Sequence, residues 1–196
     1  MEGKDKLLQY LLSRISISNE EIQEFVSYFQ EKKLRKKQLI VQPGFIAQHR
    51  YYLLDGALRS FVVTDSGQEI TIALAVEDWW ITDYNSFIYQ QPATLFVEAI
   101  SNATVLQLSF TDEQKLKASN PLFETFFRII AERGLAAQQR RIISQHTQSA
   151  QQRYEAFEKN YPKFVHEIPQ YIIASFLGMS TEFLSKIRNQ RIGKKS

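Results

Sequence analysis

The chain has 196 residues, 44% of them hydrophobic and none of them cysteine, with a net charge of +3. That length suits one large domain or a medium domain with a small one, and the apolar content argues for a packed fold. The lack of cysteine excludes disulfides, thiolate metal sites, iron–sulfur clusters and cysteine nucleophiles, and fits an intracellular, cytoplasmic protein. No run of about 18 apolar residues occurs, so no membrane span is expected.

The chain opens on "MEGKDKLLQYLLSR", a short apolar helix pattern with mixed charge and no signal-peptide core. "SISNEEIQEFVSYFQEKK" predicts a second helix. Ser18 and Glu21 have capping-box spacing, and Ile22, Phe25, Val26 and Phe29 recur on one face. From about Leu34 the period changes to short β-rich runs: "KKQLIVQPG", "YYLLDGALRSFVV", "TDSGQEITIALAV", "TLFVEAIS" and "TVLQLS". Turn signals at Pro43-Gly44, Asp55-Gly56 and Asp65-Ser66-Gly67 separate them. Close spacing of short strands predicts a β-sandwich or jelly roll. "EDWWITDYNSFIYQQPA" breaks the alternation and reads as an aromatic loop with a short helix.

"SFTDEQKLKASNP" returns to helix, with Thr111 and Gln114 spaced as a second capping box. The longest helical pattern follows, with Asn120 as its cap and Pro121 in its first turn. Leu122, Ile129, Ala136 and Ile143 recur every seven residues, with Phe126, Arg133 and Arg140 offset by four. This stripe is too wide for burial against one surface. One edge is expected on the β domain and the heptad seam on a second copy of the helix, and the alternative is a single helix lying on its own domain.

"QYIIASFLGMSTEFLSKIRN", residues 170–189, carries a helix-turn-helix pattern. Ile173, Leu177, Met179, Leu184 and Ile187 can bury between two crossing helices, and Ala174 is small where they approach. Gly178 can take the left-handed turn, and Ser180 can cap the second helix. The second helix is expected to offer Ser180, Thr181, Glu182, Ser185, Lys186 and Asn189 to base edges, with Arg188 and Arg191 at phosphates. Glu182 can accept from a cytosine amino group, and Lys186 can donate to guanine. From Glu182 onward, five basic residues face that single acidic one, so the tail holds more positive charge than the chain nets. Basic clustering on one helix is the footprint of phosphate contact, or else a solvated face.

The order of β-roll, long helix and helix-turn-helix resembles the Crp/Fnr family of bacterial transcription regulators. The likeness rests on "YYLLDGALRSFVVTDSGQEITIALAVEDWW", the long helix and "IASFLGMSTEFLSKIR". It implies an α+β protein with three parts. Residues 1–118 would be a cyclic-nucleotide-binding-like roll with N-terminal helices, 119–147 a dimerisation helix, and 148–196 the DNA-binding domain. It implies a homodimer on palindromic double-stranded DNA, with RNA polymerase as a further partner and no membrane. In the family the positions of Glu182 and Lys186 read bases, while a base-reading arginine is replaced here by Thr181. Only residues 190–196 follow Asn189, so the family's β-hairpin wing is not expected and more weight falls on Lys194 and Lys195.

Cyclic-AMP-binding members carry a phosphate cassette: a glycine–glutamate pair, then an arginine followed by a hydroxyl residue and alanine. Arginine pairs with the phosphate, glutamate takes the ribose hydroxyl, and backbone amides complete the cradle. Here "EDWWITDYNSF" lacks the glycine–glutamate pair, and "QPATLFVEA" places Ala93 at the arginine and Thr94 at the hydroxyl residue. The resemblance therefore implies no response to cyclic AMP and no cofactor. Trp79, Trp80, Asp83, Tyr84, Ala93 and Thr94 are the candidate pocket residues for another small molecule, with Phe87 and Tyr89 nearby. The aromatics among them read first as core and dimer packing, with the pocket as the alternative. His49, His146 and His166 are scattered without metal spacing, and no nucleophile and base pair stands out for catalysis. The rival reading is a ligand- or protein-binding sensor module that no longer binds DNA.

Overall fold

The computed structural model describes residues 2–192. Helices α1 (Glu2–Leu12) and α2 (Asn19–Ser27) lead into strands β1 (Gln30–Leu34), β2 (Leu39–Val41), β3 (His49–Asp55), β4 (Leu58–Val63), β5 (Glu69–Ala75) and β6 (Trp80–Ile81). Helix α3 (Tyr84–Tyr89) separates these from β7 (Phe96–Ala99) and β8 (Ala103–Ser109). Helices α4 (Phe110–Ser119), α5 (Pro121–Thr147), α6 (Ala150–Asn160), α7 (Pro162–Glu167), α8 (Gln170–Leu177) and α9 (Thr181–Ile192) complete the described chain. The strands form two antiparallel sheets, in the orders β1-β8-β3-β6 and β2-β7-β4-β5. The expected α+β order of roll, long helix and C-terminal helices is the one the chain adopts.

Strand β3 shows why the layers stack as they do. Its residues Arg50 to Leu54 are buried on both faces. Tyr51 and Leu53 point into the roll with Leu34, Leu58, Val97 and Val105. Tyr52 and Leu54 point the other way, onto a core built by α1, α2, α4 and the first turns of α5. Strict alternation along a strand makes one element serve two cores. In the second core Phe25 lies 5.2 Å from Phe123 and 5.3 Å from Phe126, ring centre to ring centre. The Tyr52 hydroxyl reaches Asp78 at 2.5 Å. Burial, then the hydrogen bond to Asp78, pushes the Tyr52 phenol well above its usual range, so it remains a donor.

A buried ion pair ties the roll to α4. Arg50 Nη2 donates to Glu113 Oε1 at 3.0 Å, and Lys117 reaches the same carboxylate at 2.8 Å. The guanidinium sits among the rings of Phe87 and Phe127, at 4.9 and 5.1 Å.

A third core joins the roll to the C-terminal helices. Ala57, Leu74 and Ile100 from the roll pack with Tyr154, Phe157, Phe164, Ile173 and Leu184. Helix α8 lies against β5, the outer strand of its sheet. There the Thr71 amide donates to Ser175 Oγ at 2.8 Å, and that hydroxyl meets the Glu69 carbonyl at 3.3 Å. Arg141 of α5 donates to the Ile72 carbonyl, at the bulge where β5 slips against β4. Its guanidinium also lies 4.5 Å from the Phe176 ring.

Three expectations need correction. The helix expected through Lys33 stops at Ser27, and Gln30–Leu34 pairs with β8 over its whole length. Its outward charges suit an outer strand, where lysines discourage pairing with another chain. Helix α4 is capped by Ser109, whose side chain accepts from Asp112 N; Thr111 lies inside the helix. Phe126, expected at the seam between two copies, has no exposed surface and belongs to the chain's own second core. Seven-residue spacing identified a shared stripe but not which side of it each residue faces.

Replacing Phe126 with alanine removes a fully buried ring and should cost about 3–5 kcal/mol of stability. Urea unfolding measures this. An F126A protein of unchanged stability that had lost self-association would restore the interface assignment.

Candidate nucleic-acid interface

The turn between α8 and α9 is built by two small residues. Gly178 has φ 67° and ψ 46°, the left-handed conformation open to glycine. Its amide donates to the Ser175 carbonyl at 3.1 Å, and the Met179 amide to the Ala174 carbonyl at 3.0 Å, which closes the helix end as a Schellman turn. Ser180 then starts α9: its Oγ accepts from Phe183 N at 3.2 Å and its carbonyl from Leu184 N at 3.1 Å. Arg153 of α6 clamps the turn from outside. Its Nε donates to the Leu177 carbonyl at 2.9 Å and its Nη1 to Gln148 at 2.7 Å. Sequence reading passed over Arg153, Arg141 and Ser175, because a lone polar residue on a helix looks like solvated surface.

Ile173, Ala174, Leu177, Leu184 and Ile187 are buried between the two helices and the rest of the third core, as the spacing implied. Ile172 joins them and Met179 is half-buried. The opposite side of α9 is open. Glu182, Lys186 and Asn189 are exposed and fall on one stripe, at i, i+4 and i+7. Ser180 is exposed, while Thr181, Ser185 and Arg188 are half-buried beside the stripe. Ser185 Oγ lies 3.4 Å from Gln170 Oε1. Phe183 is 45% exposed next to them. The Arg191 side chain, Lys194 and Lys195 lie outside the described residues. Its own backbone amide, then the Ser180 hydroxyl, hold the Glu182 carboxyl below its usual range. At neutral pH it is an anion and an acceptor, in the helix turn where an anion is favoured.

The candidate pocket residues do not converge. Trp80 packs into the second core, 5.2 Å from Tyr52 and 6.1 Å from Phe29. Trp79 faces the other way, 5.6 Å from Tyr161 and 6.0 Å from Phe164 of the C-terminal helices. Tyr84 stands at the surface with Arg50 5.8 Å from its ring. Trp80 is therefore a packing residue of the second core and Trp79 an exposed ring edging the C-terminal helices, and the pocket expected from them is corrected.

Asp83 and Ala93 are both buried. Asp83 caps α3: its Oδ1 accepts from Ser86 N at 3.0 Å. Its Oδ2 accepts from Thr94 N at 2.9 Å and Leu95 N at 3.3 Å. Ser86 Oγ takes Ala47 N at 2.8 Å and donates to the Gln91 carbonyl.

The family model of the cyclic nucleotide-binding domain matches residues 31–120. That segment is similar to a cyclic nucleotide-binding domain. Beyond it, most of the chain shares the fold of solved Crp/Fnr-type structures. FixK2 from Bradyrhizobium japonicum superposes with a TM-score of 0.75 over 85% of this chain and 86% of its own, at 16% identity. The c-di-GMP-responsive global regulator CLP of Xanthomonas campestris gives 0.70 over 91% and 93%, at 13% identity. The catabolite activator protein of Thermus thermophilus gives 0.55 over 92% and 86%, at 21% identity. At such identities the likeness is one of fold. No curated protein sequence gives a significant match. Within residues 31–120, β6, α3 and the start of β7 form the segment where the phosphate cassette was expected.

Two glycine substitutions separate conformational strain from collision. A Cβ at Gly178 would meet nothing within 4 Å, so G178A should cost only the left-handed backbone penalty, about 1–2 kcal/mol. A Cβ at Gly56, at φ +88°, would stand 2.5 Å from the Asn102 carbonyl oxygen. G56A should therefore lose more stability than G178A in urea unfolding, and the reverse order would contradict this account of the turn.

Proposed function

We propose that this protein is a DNA-binding transcription regulator of Crp/Fnr type, cytoplasmic, acting as a homodimer on an imperfect palindrome. The observation that carries the proposal is the capped turn at Gly178 and Ser180, which holds Glu182, Lys186 and Asn189 on one open stripe. A second helix entering the major groove by its N-terminal half would bring these side chains to base edges. Glu182 accepts from a cytosine amino group and Lys186 donates to guanine O6 and N7. Thr181, Ser185 and Ser180 flank them, and Arg188 and Arg191 serve phosphates. RNA polymerase is the partner such a regulator would meet at a promoter. The roll acts as a sensor domain and not as a catalyst, and it does not take cyclic AMP: Ala93 stands where the phosphate-pairing arginine would be, and it is buried.

Mobility shift on the protein's own upstream region tests the proposal. Binding should weaken steeply with salt, because lysines and arginines displace condensed counterions. Lys186→Ala should cost about 1–3 kcal/mol of discrimination at one base position. Absent or salt-insensitive binding at every site tried would favour the sensor module without DNA binding.

Self-association is supported by α5 beyond Ile130. There Leu135 is 70%, Ile142 54% and Ile143 55% exposed; Ile143 keeps the seven-residue spacing of exposed Leu122, and Leu135 and Ile142 form a neighbouring row. Ile129 and Ala136 are half-buried between them, and Arg133 and Arg140 are exposed on the same length of helix. Burying one such aliphatic side chain contributes about 1.5–3 kcal/mol, so a stripe of them favours a second copy. The two reading helices would then lie about 34 Å apart, one turn of DNA. Leu135→Glu with Ile142→Glu should give a folded monomer in sedimentation velocity. A dimer surviving both substitutions would remove α5 from the interface.

A further inference from the structure

We propose that the Asp83 carboxylate is a built-in ligand of the phosphate cassette: it occupies the anion seat formed by the Thr94 and Leu95 amides, so the roll is held closed without an effector. The inference deepens the reading of the roll as a sensor domain that does not take cyclic AMP, and rests on it.

An anion cradle is a set of backbone amides aimed at one point. At the turn into β7 that set is the Thr94 and Leu95 amides, and both reach Asp83 Oδ2, at 2.9 and 3.3 Å. The Thr94 hydroxyl lies 3.5 Å from the same oxygen. Asp83 is 2% exposed, so the carboxylate is sealed in and not a surface group that swings aside. Its other oxygen accepts from Ser86 N, so one side chain fastens α3 to β7. Amide donors already spent on a buried carboxylate cannot serve a phosphate, and a second anion beside it would be repelled. Loss of the cassette arginine fits the same scheme. Ala93 is 4% exposed in the roll interior, its amide bonded to Phe45 O at 2.9 Å and its carbonyl to Gly44 N at 3.1 Å. The anion is thus part of the chain, on a short tether, and needs no pairing cation from solution.

Two accounts of cyclic AMP insensitivity can be told apart. If the missing arginine alone were responsible, Ala93→Arg would restore binding. If Asp83 fills the seat, Ala93→Arg alone should bind no cyclic AMP by calorimetry, while Ala93→Arg with Asp83→Ala should. Asp83→Ala by itself should bind inorganic phosphate at least tenfold more tightly than the unmodified chain, with the Thr94 and Leu95 amide resonances moving on titration. Restoration by Ala93→Arg alone overturns the proposal, and so does a folded Asp83→Ala protein with unchanged phosphate affinity. Should these variants fail to fold, hydrogen exchange on the unmodified full-length protein decides. Both amides should be protected, and fast exchange at either overturns the assignment. Cyclic AMP binding by the unmodified chain would defeat the sensor reading itself, a result distinct from any of these.

Discussion

β5 has a neighbour on one side only, and the backbone groups on its free side must find partners or remain a template for another strand. Ser175 answers for Thr71 and Glu69, and Arg141 for Ile72. Most of the architecture hangs on that closure. It fixes α8 against the roll, carries α5 past the sheet, and brings Leu74 and Ala57 into the core of the C-terminal helices. The two-helix unit is therefore positioned by a strand edge and by shared apolar burial, and not merely by a hinge. Burial holds the Arg141 guanidinium below its usual range, since taking a cation out of water disfavours its charged form. The Ile72 carbonyl and the Phe176 ring face return part of that loss.

The two ends of the molecule treat polar groups in opposite ways. In the roll, charge is turned inward and satisfied. Arg50 meets Glu113 and Lys117 joins them, Arg59 meets Glu98 at 2.8 Å, and Asp83 gathers three amides. On α9 the stripe of Glu182, Lys186 and Asn189 is left open, with its apolar side spent on the core. Donors and acceptors stay free on the open stripe, while the amides around Asp83 are already spent on its carboxylate.

Legibility in the sequence followed the same division. The turn at Gly178 and Ser180 was readable because each residue type has a local mechanical reason: one backbone conformation, one cap. The alternating strands of the roll and the cap at Asn120 were readable for the same reason. What failed depended on partners distant in the chain. Gln30 to Lys33 carry charges that suit an exposed helix as well as an outer strand, and only β8, some seventy residues on, decides between them. Phe126 shares its period with true surface positions, and the ring cluster around Tyr52 and Phe25 decides its side. Asp83 reads in the sequence as a candidate pocket residue for an outside molecule. Its role comes from amides eleven and twelve positions later, brought back by α3.

Trp79 and Trp80 are consecutive, yet one stands at the seam with α6 and α7 and the other is sunk among Phe29, Tyr52 and Phe127. An indole's emission moves to longer wavelength as water reaches it. The protein thus carries its own optical gauge. Light from Trp79 registers how closely the C-terminal helices sit on the roll, while light from Trp80 supplies an internal reference for the integrity of the roll itself. Any event that separates the two bodies without unfolding either would shift one component of the emission and leave the other in place.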